Sequence, residues 1–310
     1  MNHIPVLAKE VIENLNIKKD GIYLDCTFGA GGYSQLILES GGIVYCCDQD
    51  ITTKKYFNDL SAKFPNKIHF FHTNFNFIDE ILAQNNIEKL DGIVMDLGVS
   101  SMQIDDGGRG FSFQKDGPLD MRMNQSDENL QSAKDFVNYA SEENLADIIY
   151  YYGDERDARK IARAIVNARE KEEISTTSQL SNIVKKAKNF NFKQKIDPCT
   201  KTFQAIRIYI NNEMNFLITA LQKLSKLLRI GGKILVVTFH SIEDMIVKKF
   251  FSSLDKGFYN SNYELLNENF YANHQFKMEK KVITPSNQEI KENIRSRSGK
   301  LRIIERILDE

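Results

Sequence analysis

No stretch of the chain approaches the roughly 18–20 consecutive apolar residues that a membrane-spanning helix requires. Its apolar runs, such as Ile234 to Phe239, are strand-sized. Met1 to Glu10 lack the charged-then-apolar pattern of an export signal, so no leader is expected. Cysteine is scarce: Cys26, Cys46, Cys47 and Cys199 have no zinc-binding spacing, and adjacent Cys46 and Cys47 suit no ordinary disulfide. A disulfide scaffold is excluded, and a reducing, cytoplasmic setting is expected. Internal repeats and low-complexity tracts are absent. With 42% hydrophobic and 27% charged residues over 310 positions, a collagen and a disordered tail are excluded. The chain has room for one large domain or two modest ones.

Net charge is nearly absent too, at −1. That value hides an asymmetry. From Arg156 to Lys233 stand 17 Lys/Arg against 6 Asp/Glu, while the rest of the chain is acidic. Such a block suits a polyanion, or else a helical surface neutralised by acids within the fold.

The first hundred residues alternate strand and helix. Strands are expected at Gly21–Cys26, Gly42–Cys47, Lys67–His72 and Gly92–Met95, with helices at Tyr33–Glu39, Thr52–Phe64 and Phe77–Asn85. That rhythm predicts an α/β fold built on a parallel sheet. Ser100 to Met123, rich in Gly, Asp and Ser, reads as a long functional loop. Within it, Asp120 and Arg122 could close a structural turn, or the loop could fold over a substrate. Asp135 to Asn189 is almost entirely helical in pattern. Ser141 and Thr177 are expected as caps, and Arg156, Arg159, Lys160 and Arg163 form a basic stripe. Asp154 or Glu155 is the expected partner of Arg156. Asn189 to Asp197 reads as a basic, aromatic loop. A long helix should then end near Leu228, stopped by Gly231-Gly232. A fifth strand at Lys233–Phe239, a helix at Ser241–Phe251 and late strands at Lys280–Thr284 and Lys300–Ile307 complete the pattern. The expected division is a sheet domain, 1–123 and 204–310, interrupted by a helical insert, 124–203.

The segment Asp25-Cys26-Thr27-Phe28-Gly29-Ala30-Gly31-Gly32 follows the first strand and opens a helix. Glycines there let backbone approach a ligand closely. Asp48, at the end of the second strand, suits both hydroxyls of a ribose. Together they point to a nucleoside cofactor. A dinucleotide site wants G-x-G-x-x-G, but Ser34 stands at the third glycine position. Asp25 is poorly placed beside a pyrophosphate and well placed for the amino group of an amino-acid-bearing cofactor, which favours S-adenosylmethionine over NAD. Asp96 and His240 also fall at strand ends, where open α/β sheets bind ligands. His240 is equally readable as a substrate contact and as an imidazole that fixes the backbone. Phe75, after the third strand, offers a ring for an adenine.

Several stretches, in order, resemble the MraW/RsmH family of small-subunit rRNA cytosine-N4 methyltransferases. They are His3-Ile4-Pro5-Val6-Leu7, Asp25 to Ser34, Asp91 to Ser101, Arg109-Gly110-Phe111-Ser112-Phe113, Asp116 to Met123, Tyr152-Gly153-Asp154-Glu155-Arg156, Thr202 to Ile208 and Phe239-His240-Ser241-Ile242-Glu243-Asp244. The resemblance implies a class I S-adenosylmethionine-dependent methyltransferase (Rossmann-like) sheet with an inserted helical domain for RNA recognition. Its cofactor positions fall on Gly31, Gly32, Tyr33, Asp48, Phe75, Asp96 and Gln103. A His is common where Tyr33 stands, so that contact is expected from the backbone. Met102 replaces a usual Pro before Gln103. Asp96 and His240 are the implied catalytic candidates, and no metal is expected. The implied partner is small-subunit rRNA or the assembled small ribosomal subunit, with no membrane. A NAD-dependent oxidoreductase and a non-catalytic RNA-binding assembly factor remain the alternatives.

Overall fold

A computed structural model describes residues 5–127, 129–188, 197–256 and 275–308. His3 and Ile4 of the first motif, and 189–196 of the expected basic loop, lie outside them. The described residues form two compact units. One is Met1–Gly98 with Met214–Glu310, and the other is Val99–Glu213.

The first unit holds a seven-stranded sheet. Its strands are β1 (Ile22–Asp25), β2 (Ile43–Asp48), β3 (Ile68–His72), β4 (Leu90–Asp96), β5 (Leu228–Thr238), β6 (Phe276–Met278) and β7 (Lys300–Arg306). They are ordered β3-β2-β1-β4-β5-β7-β6. The first five run parallel, and β7 lies antiparallel to both β5 and β6. This is the Rossmann-like α/β sheet expected from the sequence. The central strands are apolar without alternation, as a sheet covered on both faces requires: every β4 residue from Leu90 to Met95 is buried. Register places the strand-end acids side by side, with Asp25 opposite Val94 and Cys46, Asp48 opposite His72, and Asp96 opposite Val237.

Several boundaries differ from expectation. Gly231-Gly232 does not stop a helix. That helix ends at Ser225, and the two glycines lie inside β5, where the register against β4 slips between Leu90 and Gly92. Gly231 takes φ +77°, so the pair makes the bulge that lets β5 resume against β4. The helix itself is broken into Thr200–Ile210 and Glu213–Ser225. Lys280–Thr284 is not a strand. Only Ile283 bridges to Leu301, and the edge strand is β6 instead.

The second unit is helical: Ser101–Asp105, Ala133–Tyr139, Glu142–Gly153, Ala158–Arg169, Thr177–Ala187 and Thr200–Ile210. It is larger than the expected insert at both ends, for a packing reason. Phe111, Leu119, Met121 and Met123, and on the far side Phe203, Ile206 and Ile210, are buried in its core. Ser141 caps its helix through the Asn144 N–H, as expected. The next cap is Thr176 rather than Thr177: the Thr176 hydroxyl accepts the Gln179 N–H, and Gln179 returns its side-chain oxygen to the Thr176 N–H. Asp120 and Arg122 do close a turn, with a two-pronged pair at 3.0 and 2.8 Å. Arg156 does not take either expected partner. Asp154 pairs with Lys201 and buried Glu155 with Lys188.

In the sheet unit, Asp244 ties the helix Ser241–Lys256 to β7. Its carboxylate accepts Arg302 Nε at 2.6 Å and Lys300 Nζ at 3.0 Å. Burial opposes the charge, but the two cations hold the carboxyl below its ordinary value. We expect Asp244→Ala to destabilise the protein by about 2–4 kcal/mol, because it strands a largely buried Arg302. Urea unfolding with an unchanged slope checks this; a midpoint equal to wild type refutes it.

Candidate active site

The site is assembled at the carboxyl ends of β1, β2, β4 and β5 in the sheet unit. After β1 the chain turns through Gly29 (φ +53°) and Gly31 (φ +78°) into the helix Gly32–Glu39. A Cβ on Gly31 would stand 2.7 Å from Leu60 Cδ1 and 2.9 Å from the Phe28 ring, so only glycine fits there. No side chain caps this helix, which leaves the positive end of its dipole at the glycine turn.

Asp25 is fully buried beneath that turn. One carboxylate oxygen accepts the Ser34 hydroxyl at 2.7 Å and the other the Thr27 N–H at 3.2 Å. Burial raises its pKa, against those two donors. This corrects the expectation that Asp25 meets a ligand's amino group. The carboxylate points inward and braces the loop. Ser34, read from the sequence as a missing glycine, is the residue that satisfies it.

Asp48 is only half-buried. Its oxygens accept the Gly29 and Asp50 N–H groups, both at 2.8 Å. Each oxygen keeps a second lone pair for a hydroxyl donor. Burial pushes its pKa up to about 7, in spite of those N–H donors. β3 ends beside β2: the Thr73 N–H donates to Asp48 O, and Asn74 donates to the Gln49 side chain at 3.0 Å. Phe75 opens the short 3-10 turn Phe75–Phe77 directly after this junction.

Asp96 ends β4. Its N–H donates to the Thr27 hydroxyl at 2.7 Å, which joins the β4 end to the glycine turn. Its Oδ1 is buried and has no hydrogen-bond partner among the described residues. Burial raises its pKa well above the ordinary range, and the charges of Asp25 and Glu243 add to this. An acceptor that is desolvated and without a partner among the described residues is suited to a donor-bearing or cationic group.

His240 follows β5. Its Nδ1 accepts the Glu243 N–H at 3.4 Å, and its Nε2 lies 3.0 Å from Glu243 Oε1. Glu243 Oε2 accepts the Phe239 N–H at 2.9 Å and the His240 N–H at 3.3 Å. The pair is a reciprocal cap at the start of the helix Ser241–Lys256, with an imidazole in the place of a hydroxyl. Glu243 is 1% exposed, and its Oε1 stands beside Gly98, just past Asp96. The sequence motif Phe239-His240-Ser241-Ile242-Glu243-Asp244 contains Glu243 with no role expected for it. The signal was its place three residues after His240, at the third position of the helix.

Tyr33 and Gln103 stand apart from this group. The Tyr33 ring is buried, and its hydroxyl donates to Val6 O. The ring is thus engaged with the chain's N-terminal segment. Gln103 belongs to the helical unit, where its side chain accepts the Ser100 N–H at 3.0 Å and its N–H donates to the Ser100 hydroxyl. Cys26, Cys46 and Cys47 are buried thiols with pKa pushed well up by desolvation, so they are neither nucleophiles nor thiolate ligands. No cluster fit to hold a metal ion occurs among the described residues.

Residues 1–307 match the model of the MraW methylase family. The chain belongs to the MraW methylase family. Relatives carry the name ribosomal RNA small subunit methyltransferase H. One from Wolbachia sp. subsp. Drosophila simulans is 50% identical, covering 99% of this chain and 100% of that one. One from Ehrlichia ruminantium is 48% identical over 98% and 99% of the two chains, and one from Anaplasma marginale 46% identical over 99% and 100%. Membership in this methylase family displaces the oxidoreductase alternative. It also agrees with the glycine spacing, which lacks the third glycine of a dinucleotide turn.

Asp48 gives this MraW methylase a pH signature of its own. A carboxyl raised to about 7 in the fold and near 3.9 when unfolded favours folding fully below pH 3.9. That contribution is lost as pH rises through 7, by at most about 4 kcal/mol. We expect ligand-free Asp48→Asn to lose less stability than wild type between pH 5 and pH 8.5. Denaturant midpoints at the two pH values check this; equal losses in both proteins would contradict it.

Proposed function

We propose that this protein transfers a methyl group from S-adenosylmethionine to the exocyclic N4 of a specific cytidine in the decoding region of small-subunit rRNA. The observation that carries the proposal is the cluster of Asp48 and Asp96 around the glycine turn, in a chain of the MraW methylase family. S-adenosylmethionine, when bound, supplies a methyl group activated by a sulfonium charge. The residues present fit it: Asp48 retains lone pairs for two ribose hydroxyls, Phe75 follows directly on the junction of β3 with the end of β2, and the Gly31–Tyr33 backbone lines the turn.

The N4 lone pair of cytosine is delocalised into the ring, so it is a weak nucleophile. The protein's work is to hold it in line with the methyl carbon, about 3–3.5 Å away, with one N–H directed at an acceptor. With S-adenosylmethionine bound, its methyl group would pass to N4, and the proton that N4 must then lose would go to the acceptor that holds its N–H. Asp96 Oδ1 is the acceptor we assign to that N–H, because it is buried and otherwise unpartnered. His240 Nδ1 accepts the Glu243 N–H and so holds the turn after β5, while its Nε2 is buried with no hydrogen-bond partner among the described residues and is the second group we assign to face the reacting base. The base must leave its stack to reach the strand ends. We assign the helical unit to RNA recognition, and the cytoplasm as the place of action.

Nucleoside mass spectrometry of rRNA from cells with and without the gene tests the substrate. Unchanged N4-methylated cytidine would refute it. Incubation with naked rRNA and with assembled subunits, scored by S-adenosylhomocysteine release, separates the two substrates and excludes the non-catalytic assembly factor if turnover occurs. Asp48→Ala should weaken S-adenosylmethionine binding by about 1.5–3 kcal/mol in calorimetry. Asp96→Asn should slow single-turnover methylation at saturating cofactor by roughly 10²-fold, because an amide is a weaker acceptor. Full recovery at saturation would reduce Asp96 to cofactor binding alone.

A further inference from the structure

The helical unit exposes an aromatic pair that neither its core nor its ion pairs use. Tyr150 and Tyr151, in the last turn of the helix Glu142–Gly153, are 53% and 66% exposed. Their rings stand edge to face, with centroids 5.3 Å apart and planes at 78°. Five residues later comes Arg156, then Arg159 and Lys160 in the first turn of Ala158–Arg169. Chain length alone keeps Tyr151 within about 18 Å of Arg156. These three cations are exposed, and none has an acidic partner among the described residues. The neighbouring cations are consumed: Arg163 pairs with Glu142, Lys188 with Glu155 and Lys201 with Asp154. The basic stripe therefore contracts to the end of the helix pair that also carries the tyrosines.

Exposed aromatic rings beside unpaired cations have one well-matched ligand chemistry. Cations hold phosphates without regard to sequence, while rings stack on bases that are free of a duplex. Stacking needs an unpaired base face, so the combination selects single-stranded over double-stranded RNA. We infer that Tyr150 and Tyr151, with Arg156, Arg159 and Lys160, form a binding site for unpaired nucleotides of the RNA substrate. This rests on the proposed rRNA substrate and adds where, and by which contact, its unpaired segment is gripped.

The test uses the full chain with a fluorescein-labelled oligocytidylate strand and, separately, a fully paired RNA duplex. Replacing Tyr150 and Tyr151 together by Ala should weaken single-strand binding about ten-fold or more, while leaving the log–log salt slope and duplex binding unchanged. Replacing both by Phe should restore wild-type affinity, since the ring and not the hydroxyl stacks. Arg156→Gln with Arg159→Gln and Lys160→Gln should flatten the slope by roughly 0.7 per lost phosphate contact. Wild-type single-strand affinity in the Ala variant overturns the inference. So does an equal loss on duplex, or a Phe variant as weak as the Ala one. Reduced self-association with unaltered RNA binding also overturns it and makes the rings a protein contact. Methylation assays separate the two readings. A wild-type protein that leaves cytidine N4 unmodified defeats the substrate assignment. A wild type that methylates, beside an Ala variant that binds RNA equally well, defeats only the tyrosine site.

Discussion

The carboxylate of Asp25 has no water to turn to. A buried carboxylate at the end of a central strand must be satisfied by its own loop, and here Thr27 and Ser34 supply the donors. That requirement fixes the turn and the first residues of the helix after it. The constraint then spreads. Thr27 uses its hydroxyl to accept the Asp96 N–H, and Gly29 gives its N–H to Asp48. Three strand ends are thus held to one another through the single short loop between Asp25 and Gly32. Glycine at 31 is what lets that loop close against Leu60 and Phe28. The acids at the ends of β2 and β4 are positioned by an acid that is itself fully buried.

The arrangement has an electrostatic consequence. Desolvation raises the pKa of Asp25, Asp48 and Asp96, and the charge of Asp25 adds to the rise at both Asp48 and Asp96, that of Glu243 to the rise at Asp96. Such a cluster stores unfavourable self-energy that a donor-rich or positively charged guest relieves. A sulfonium cofactor with an ammonium group and two ribose hydroxyls is a guest of that kind. A pyrophosphate, which would bring like charge to the same acids, is not. The choice of cofactor class is written in the charge of the strand ends as much as in the glycine spacing.

Much of this was legible in the sequence. Strand positions followed from apolar runs ending in acids, because a sheet covered on both faces leaves polar groups only at its ends. Ser141 was readable as a cap, since its hydroxyl acts on its own next turn. What was not legible depended on distant partners. Nothing local reveals that Asp25 faces inward, because Ser34 nine residues on is what turns it. Gly231-Gly232 looks the same as a helix stop and as a bulge, and the difference lies in the slip against Leu90 and Gly92. The insert's limits were missed because Phe111 and Met121 read as loop residues, yet they are core to the helical unit. Arg156 lost its expected acids to Lys188 and Lys201, which are remote in sequence.

The same accounting of ion pairs bears on where RNA is held. Near its C-terminus Lys300 and Arg302 are committed to Asp244, while Arg295 and Arg297 stay exposed. In the sheet unit, Lys223 is paired with Asp79 and Arg229 with Asp91. The strand ends themselves are acidic, and an acidic cleft repels a phosphate backbone even as it welcomes a cationic cofactor. A base can enter such a cleft only if its flanking phosphates are held by cations elsewhere. Arg156, Arg159 and Lys160, exposed and without an acidic partner among the described residues, belong to the helical unit, whereas the strand-end acids belong to the sheet unit. Chemistry that requires buried negative charge and recognition that requires exposed positive charge are incompatible on one surface. That incompatibility gives a physical reason for a second unit to interrupt the sheet between β4 and β5.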